Sequence, residues 1–184
     1  QPRYSLVQDH EMPEYDYCYC DTCRRLFREQ SGIDPLDLKD PASNAAWRDF
    51  RLNQLVKLVH AIVEEVHRKG KLISAAVFPT PSMSRIMVRQ DWSKFHLDAY
   101  LPMLYHNFYG EPESWIGKCV KESLTELTPE TPIYAGIFRG AIQTSDIASI
   151  YSMVKENGGR GLSFFTADSL TDDDLKVLKR VIAS

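Results

Sequence analysis

The sequence predicts an α/β fold, half of a (β/α)8 (TIM) barrel, on three observations. Short apolar runs alternate with amphipathic helical patterns. The strand–helix unit recurs about every 30 residues, the spacing of parallel βα repeats. The segments leaving the strands are long and aromatic, whereas the helix-to-strand turns are short and glycine-bearing (Lys69-Gly70-Lys71, Gly158-Gly159-Arg160). Barrels keep their function in the first kind of loop.

The elements follow in order within a single domain, 1–184. Positions 1–43 form a leading loop and short helix with a cysteine cluster, and 44–184 carry the βα repeats. Gln1 to Tyr17 has no clear period and reads as loop. Asp21 or Thr22 caps a short helix running to Gln30, and Gly32 stands where a helix stops. Asp34-Pro35 opens a turn. The strongest helix runs from about Asn44 to Lys69. Its Trp47, Phe50, Leu55, Leu58, Val59, Ile62, Val63 and Val66 recur at steps of three and four, with Arg48, Asp49, Arg51, Lys57, Glu64 and Glu65 between them.

Strands are predicted at Leu72 to Phe78, Ala99 to Tyr105, Ile133 to Phe138 and Gly161 to Phe165. They do not alternate apolar with polar, which predicts burial on both faces. Helices are predicted at Trp115 to Leu127, Thr144 to Glu156 and Thr171 to Ile182, the last with a Thr171–Asp174 capping pattern. A whole barrel needs eight strands and roughly 250 residues. An open doubly wound sheet is the structural rival. Four parallel strands leave two raw edges and one bare face. Such a half must find the missing strands or pair with a second copy, as a homodimer through its open sheet edges.

Composition removes several function classes. The 184 residues are 43% hydrophobic and 11% aromatic, which suits a packed domain rather than a disordered chain. The net charge of -3 comes with no basic stripe, so nucleic acid is not the expected partner. No apolar run reaches about 18 residues, so no membrane span is expected. Gln1 follows no Met and no apolar leader comes after it, so the start reads as a processed end or a segment boundary.

The most specific local signal is Tyr17-Cys18-Tyr19-Cys20-Asp21-Thr22-Cys23. C-x-C-x-x-C brings three thiolates within reach of one tetrahedral ion, with zinc the default; three reduced thiols at a helix start are the plainer reading. Cys119 is the only other cysteine, and His10 the nearest histidine for a fourth ligand. Tyr100 to Glu111 leaves the second strand. There Tyr105, Phe108 and Tyr109 can stack on sugar faces, His106 and Asn107 can hydrogen-bond hydroxyls, and Glu111 can act as acid or base. A loop packed by its own aromatics, with Glu111 solvated, is the plainer account. Phe78 to Arg85, with two prolines, reads as a stiff loop, from which Arg85 or Arg89 could hold an anion or serve in ion pairs. Arg139 points to the same rim as His106 if the barrel holds. Asp168 reads as a helix-leading turn, Asp98 as a stability residue, and His60 and His67 as solvated or packed.

Taken together, Tyr17 to Phe27, Gly32-Ile33-Asp34-Pro35, Trp47 to Arg51, Ala75 to Pro81 and Leu101 to Tyr109 resemble the glycosyl-hydrolase-like barrel domains of family 10. The resemblance covers most of the chain. The cysteine motif is also similar to the zinc cluster of family 42 β-galactosidases, where a fourth cysteine comes from earlier in the chain. The resemblance implies that this is the C-terminal half of a barrel acting on polysaccharide or glycoside. A strand with a Leu-Asp-Tyr-x-Arg-Tyr-like motif would precede Gln1, its Asp the nucleophile candidate. By analogy with polysaccharide-degrading proteins the location is extracytoplasmic. The chain departs from many barrel glycosidases in carrying Ile137-Phe138-Arg139 where the seventh strand would end in a nucleophilic Glu.

The expected function is therefore hydrolysis of a glycosidic bond by two carboxylates. This half supplies Glu111, with Asp9 and Glu11 as further candidates, and Tyr105, His106, Asn107, Tyr109 and Arg139 position the sugar. Cys18, Cys20 and Cys23 hold a structural zinc, and no other cofactor is required. The isolated chain is expected to be inactive. A carbohydrate-binding barrel without chemistry, or a self-associating fragment, are the alternatives.

Overall fold

The computed structural model describes residues 11, 13 and 16–183. Ten regular elements alternate helix and strand after a helical start: α1 (Asp21–Ser31), α2 (Ala45–Arg68), β1 (Ser74–Val77), α3 (Pro81–Met87), β2 (Ala99–Pro102), α4 (Ser114–Thr125), β3 (Tyr134–Phe138), α5 (Asp146–Glu156), β4 (Gly161–Phe165) and α6 (Asp172–Ala183). The α/β class is thus present. The strands are shorter than their apolar runs, because each run continues into a loop once its ladder partner ends.

Capping chemistry sets the helix bounds. Asn44 accepts from Trp47 N to start α2, and Gly32 at φ 76° ends α1. The cap of α1 is Cys20, which makes no side-chain cap bond, rather than Asp21 or Thr22. At α6, Thr171 N donates to Asp174 and Asp174 N to Thr171 Oγ1, the reciprocal bonds its sequence predicts. Helix α3 was expected to be loop. Thr80 caps it by accepting from Met83 N, and Pro81 occupies its first turn, where a missing N–H costs nothing.

All strand pairs are parallel. β1 runs beside β2 in the register Ser74–Ala99 to Val77–Pro102, and β3 beside β4 from Tyr134–Gly161 to Phe138–Phe165. Two bridges, Tyr100–Ile133 and Met103–Gly136, tie β2 to β3. The order in space is therefore the order in sequence. Right-handed parallel crossovers that always step the same way put every helix on the same face. Accordingly α4, α5 and α6 lie side by side.

Period two divides the strand residues. Ala75, Val77, Tyr100, Ile133, Ala135, Ile137, Leu162 and Phe164 point into one core with Val56 and Val63 of α2, Ile116 and Val120 of α4, and Ile147, Ile150 and Val154 of α5. The intervening residues lie outside that core. Ser74 and Ala76 are exposed, Leu101 and Met103 are half-buried, and Tyr134 and Phe165 are 38% and 52% exposed. Both faces were expected to be covered; among the described residues only the helix face packs into a core. A second small core under α1 packs Phe27, Trp47 and Phe50, with Trp47 stacked on Phe50 at 5.3 Å.

Helix α2 departs from its apolar pattern in an instructive way. Leu58 and Ile62 are exposed, whereas Arg51 is buried. The apolar arc is wider than the strip that meets the core, and Arg51 is drawn inside by carboxylate partners.

Gly136 lets β2 and β3 approach. A methyl group there would sit 2.6 Å from the carbonyl oxygen of Pro102. Gly136→Ala is expected to lower the unfolding free energy by about 1–3 kcal/mol, the usual cost of overpacking, read by urea denaturation.

Candidate functional site

An aromatic platform occupies the C-terminal ends of β2, β3 and β4, on the face away from the helices. Phe138 and Phe165 are register partners. The Met103–Gly136 bridge carries the same register forward to Tyr105 beside Phe138. Tyr105 lies with its ring centroid 5.9 Å from both Phe108 and Phe165, and Phe108 lies 5.2 Å from Phe138. The Tyr105 and Phe165 rings are near parallel at 29°, and Phe165 is the most open of the four. Burial raises the Tyr105 hydroxyl above its ordinary pKa, keeping it a neutral donor. Such a surface suits the C–H face of a ring-shaped ligand.

The loop after β2 supplies polar groups beside these rings. It forms a single helical turn from His106 to Tyr109, stopped by Gly110 at φ 68°. His106 is half-buried and Asn107 exposed. Glu111 is exposed and donates its backbone N–H to His106 O, while its carboxylate takes no hydrogen bond from a described residue. Tyr109 lies beneath the rim rather than on it. Its ring is only 8% exposed, packs 5.1 Å from Trp115, and has its hydroxyl pKa raised by burial.

Arg139 is held in a clamp. Its Nε and Nη2 donate to the two oxygens of Asp174, Nη1 donates to Ile142 O, and Nη2 also reaches Thr144. This network fixes the loop after β3 onto the N-terminus of α6. The Arg139 hydrogen bonds hold the Asp174 carboxyl well below the usual carboxylate range, against the opposing push of burial and with further help from Thr171 and Thr144.

The cysteine cluster forms a separate centre at the start of α1. The sulfurs of Cys18, Cys20 and Cys23 all lie within 4.8 Å of one another and can hold a metal ion. Cys18 has φ 81°, which turns its thiol back to within 2.8 Å of the Cys23 sulfur. The Cys23 backbone N–H and then its thiol lower the pKa of Cys20, whereas the Cys18 bond and then burial push Cys23 up to about 12. Cys119 is not a fourth ligand. It is buried in the main core on α4. His10 and Asp9 lie outside the described residues.

Beside the thiols lies an ionic knot. Asp16 accepts from Tyr19 at 2.5 Å, from Arg51 at 2.6 Å and from Arg89 at 3.3 Å. Glu11 accepts from Arg48 at 2.6 and 2.8 Å and also from Arg89. Burial would raise the Asp16 pKa, but the Arg51 and Tyr19 bonds outweigh it and the net shift is downward. Glu11 is thus neutralised by two arginines. Arg85 pairs with Asp91 and Glu126. Asp98 ties Ile73 N to His67, and His60 meets Lys94 O and the His96 ring, all structural contacts. Asp168 accepts from Thr166 at a turn.

Phe138 and Phe165 were not singled out as site residues from sequence. The signal was an aromatic at the end of three successive strands, which reads as one cluster only when the register is known. Compared with known proteins, the sequence matches no family model, no curated protein and no solved structure.

Asp174 has a depressed folded pKa, so its contribution to stability is complete above its unfolded value of 3.8 and is lost as pH falls below it. Asp174→Asn is therefore expected to melt several degrees below wild type at neutral pH. That gap should narrow steadily in thermal melts taken in increasingly acidic buffer.

Proposed function

We propose that the chain forms one wall of a (β/α)8 barrel, closed by further parallel strands, and acts on carbohydrate as a glycoside hydrolase. The carrying observation is the aromatic platform of Tyr105, Phe108, Phe138 and Phe165 at the C-terminal ends of adjacent strands. The one-sided core supports the architecture. Strands apolar on both faces bury only one, and the other suits a barrel interior.

In this reading the rings receive a pyranose face, and His106 and Asn107 bond its hydroxyls. Glu111 supplies one carboxylate as general acid, and the strands that complete the barrel supply the second. Arg139 serves by holding the β3–α5 loop, with two N–H groups on Asp174 and others on Ile142 O and Thr144. Tyr109 supports the loop from below. One observation favours a second reading, a carbohydrate-binding barrel without turnover: the Glu111 carboxylate is exposed and ungripped.

Reducing-sugar release from a polysaccharide panel, assayed on the completed barrel, separates the two. Hydrolysis predicts that Glu111→Gln lowers turnover by about 10²–10⁴-fold with glycan binding retained, the loss expected when a general acid is removed. Binding with no release from any polymer supports the second reading.

Zinc is the metal we assign to the cysteine cluster, as a structural ion. Three thiolates are a donor set that zinc favours over magnesium or calcium, and the sulfurs are already gathered. The ion would pin the segment before α1 to the helix start. Protein purified with zinc and dialysed is expected to retain one ion per chain by elemental analysis, and Cys20→Ser to retain far less.

A further inference from the structure

Two arginine nitrogens on side chains that line the cleft beside the thiols lack partners among the described residues. Arg51 and Arg89 are 6% exposed each. Arg51 Nη2 and Arg89 Nε are buried without a hydrogen-bond partner. Both side chains line one cleft of about 260 Å3 together with Cys18, Cys23, Tyr17, and Leu58. A buried N–H left unpaired carries an uncompensated desolvation cost, which a ligand on the neighbouring thiols can offset.

Of the knot's cations, Arg51 and Arg89 line the cleft, whereas Arg48 is part-exposed, lies outside it and also faces Asp40. Loading a divalent ion onto Cys18, Cys20 and Cys23 releases three thiol protons to solvent. It leaves one net negative charge on the metal and its three sulfurs, before any fourth ligand is counted. The buried guanidinium groups of Arg51 and Arg89, in the same cleft as Cys18 and Cys23, carry the charge that complements it.

Arg51 is the member placed to connect them. Its Nη1 donates to Asp16 and to the carbonyl of Tyr17, the residue before the first cysteine. Its guanidinium lies 5.0 Å from the centre of the Trp47 ring, which fixes its plane. We propose that Arg51 is a positioning residue for the metal centre, with its free Nη2 and its charge, supported by Arg89, offsetting the anionic metal–thiolate group. This rests on the metal reading of the cluster. Outer groups of this kind commonly change metal affinity by about 10–100-fold when removed.

The test is zinc affinity by competition with a chromophoric chelator, together with the thiolate-to-metal charge-transfer band after cobalt substitution. Two variants of the knot give opposite expectations. Arg51→Met removes the charge and the N–H groups while keeping an apolar stem over Trp47. Asp16→Asn removes the competing carboxylate charge and leaves Arg51 in place. The proposal predicts affinity lower by about 10–100-fold in Arg51→Met, a shifted charge-transfer band, and unchanged or tighter binding in Asp16→Asn. A merely structural knot predicts parallel losses in both variants, and that result overturns the proposal. So does an Arg51→Met protein that keeps wild-type affinity. Wild-type chain that binds neither zinc nor cobalt overturns the metal reading itself. Circular dichroism and Trp47 fluorescence on each variant establish that it is folded; Arg51→Lys replaces Arg51→Met if the latter is not, with weaker binding and a shifted band expected.

Discussion

One-sided burial of a parallel sheet governs this molecule. Four strands that follow one another in space as in sequence can carry their connecting helices on one face only. That face becomes the core, with Tyr100, Ile133, Ala135 and Ile137 sealed beneath α4 and α5. The opposite face inherits Leu101, Met103, Tyr134 and Phe165, apolar and aromatic residues outside that core. The candidate carbohydrate site is a direct result, because its rings stand where the open face meets the ends of the strands.

The polar architecture is arranged around that constraint. At the rim, Arg139 and Asp174 pair through two hydrogen bonds, with Thr144 and Thr171 joining them, and hold the loop after β3 to α6. Away from it, Asp16 and Glu11 collect Arg48, Arg51 and Arg89 and fasten the segment before α1 onto α2. The side chains of Asp16, Arg51, Arg89 and Asp174 are buried and ion-paired in these two places, with Arg51 Nη2 and Arg89 Nε left over in the second. The cysteine cluster shares its cleft with the second network, so the sulfur centre and the ionic knot form one unit tied to the start of α1 and the first half of α2.

Much of this was legible in the sequence. Apolar runs placed all four strands, and Thr171 with Asp174 announced the start of α6. The spacing of Cys18, Cys20 and Cys23 foretold a gathered set of sulfurs. Other features depend on contacts distant in sequence. Arg51 looked like part of a solvated helix face until Asp16, 35 residues earlier, was seen to bury it. Arg139 looked free until α6 folded back to present Asp174. Phe138 and Phe165 became one surface only through the β3–β4 register. The helix at Pro81 was hidden by its prolines, although Thr80 followed by Pro81 is a favourable start.

The most direct test of the carbohydrate reading is a titration of the chain with neutral oligosaccharides, followed by the aromatic side-chain signals in nuclear magnetic resonance. The account predicts that the rings of Tyr105, Phe108, Phe138 and Phe165 shift together on binding, while Trp92 and Phe95, sealed in the main core, do not. Saturable binding that leaves those four rings unmoved, or that moves residues of the helix face instead, would contradict it.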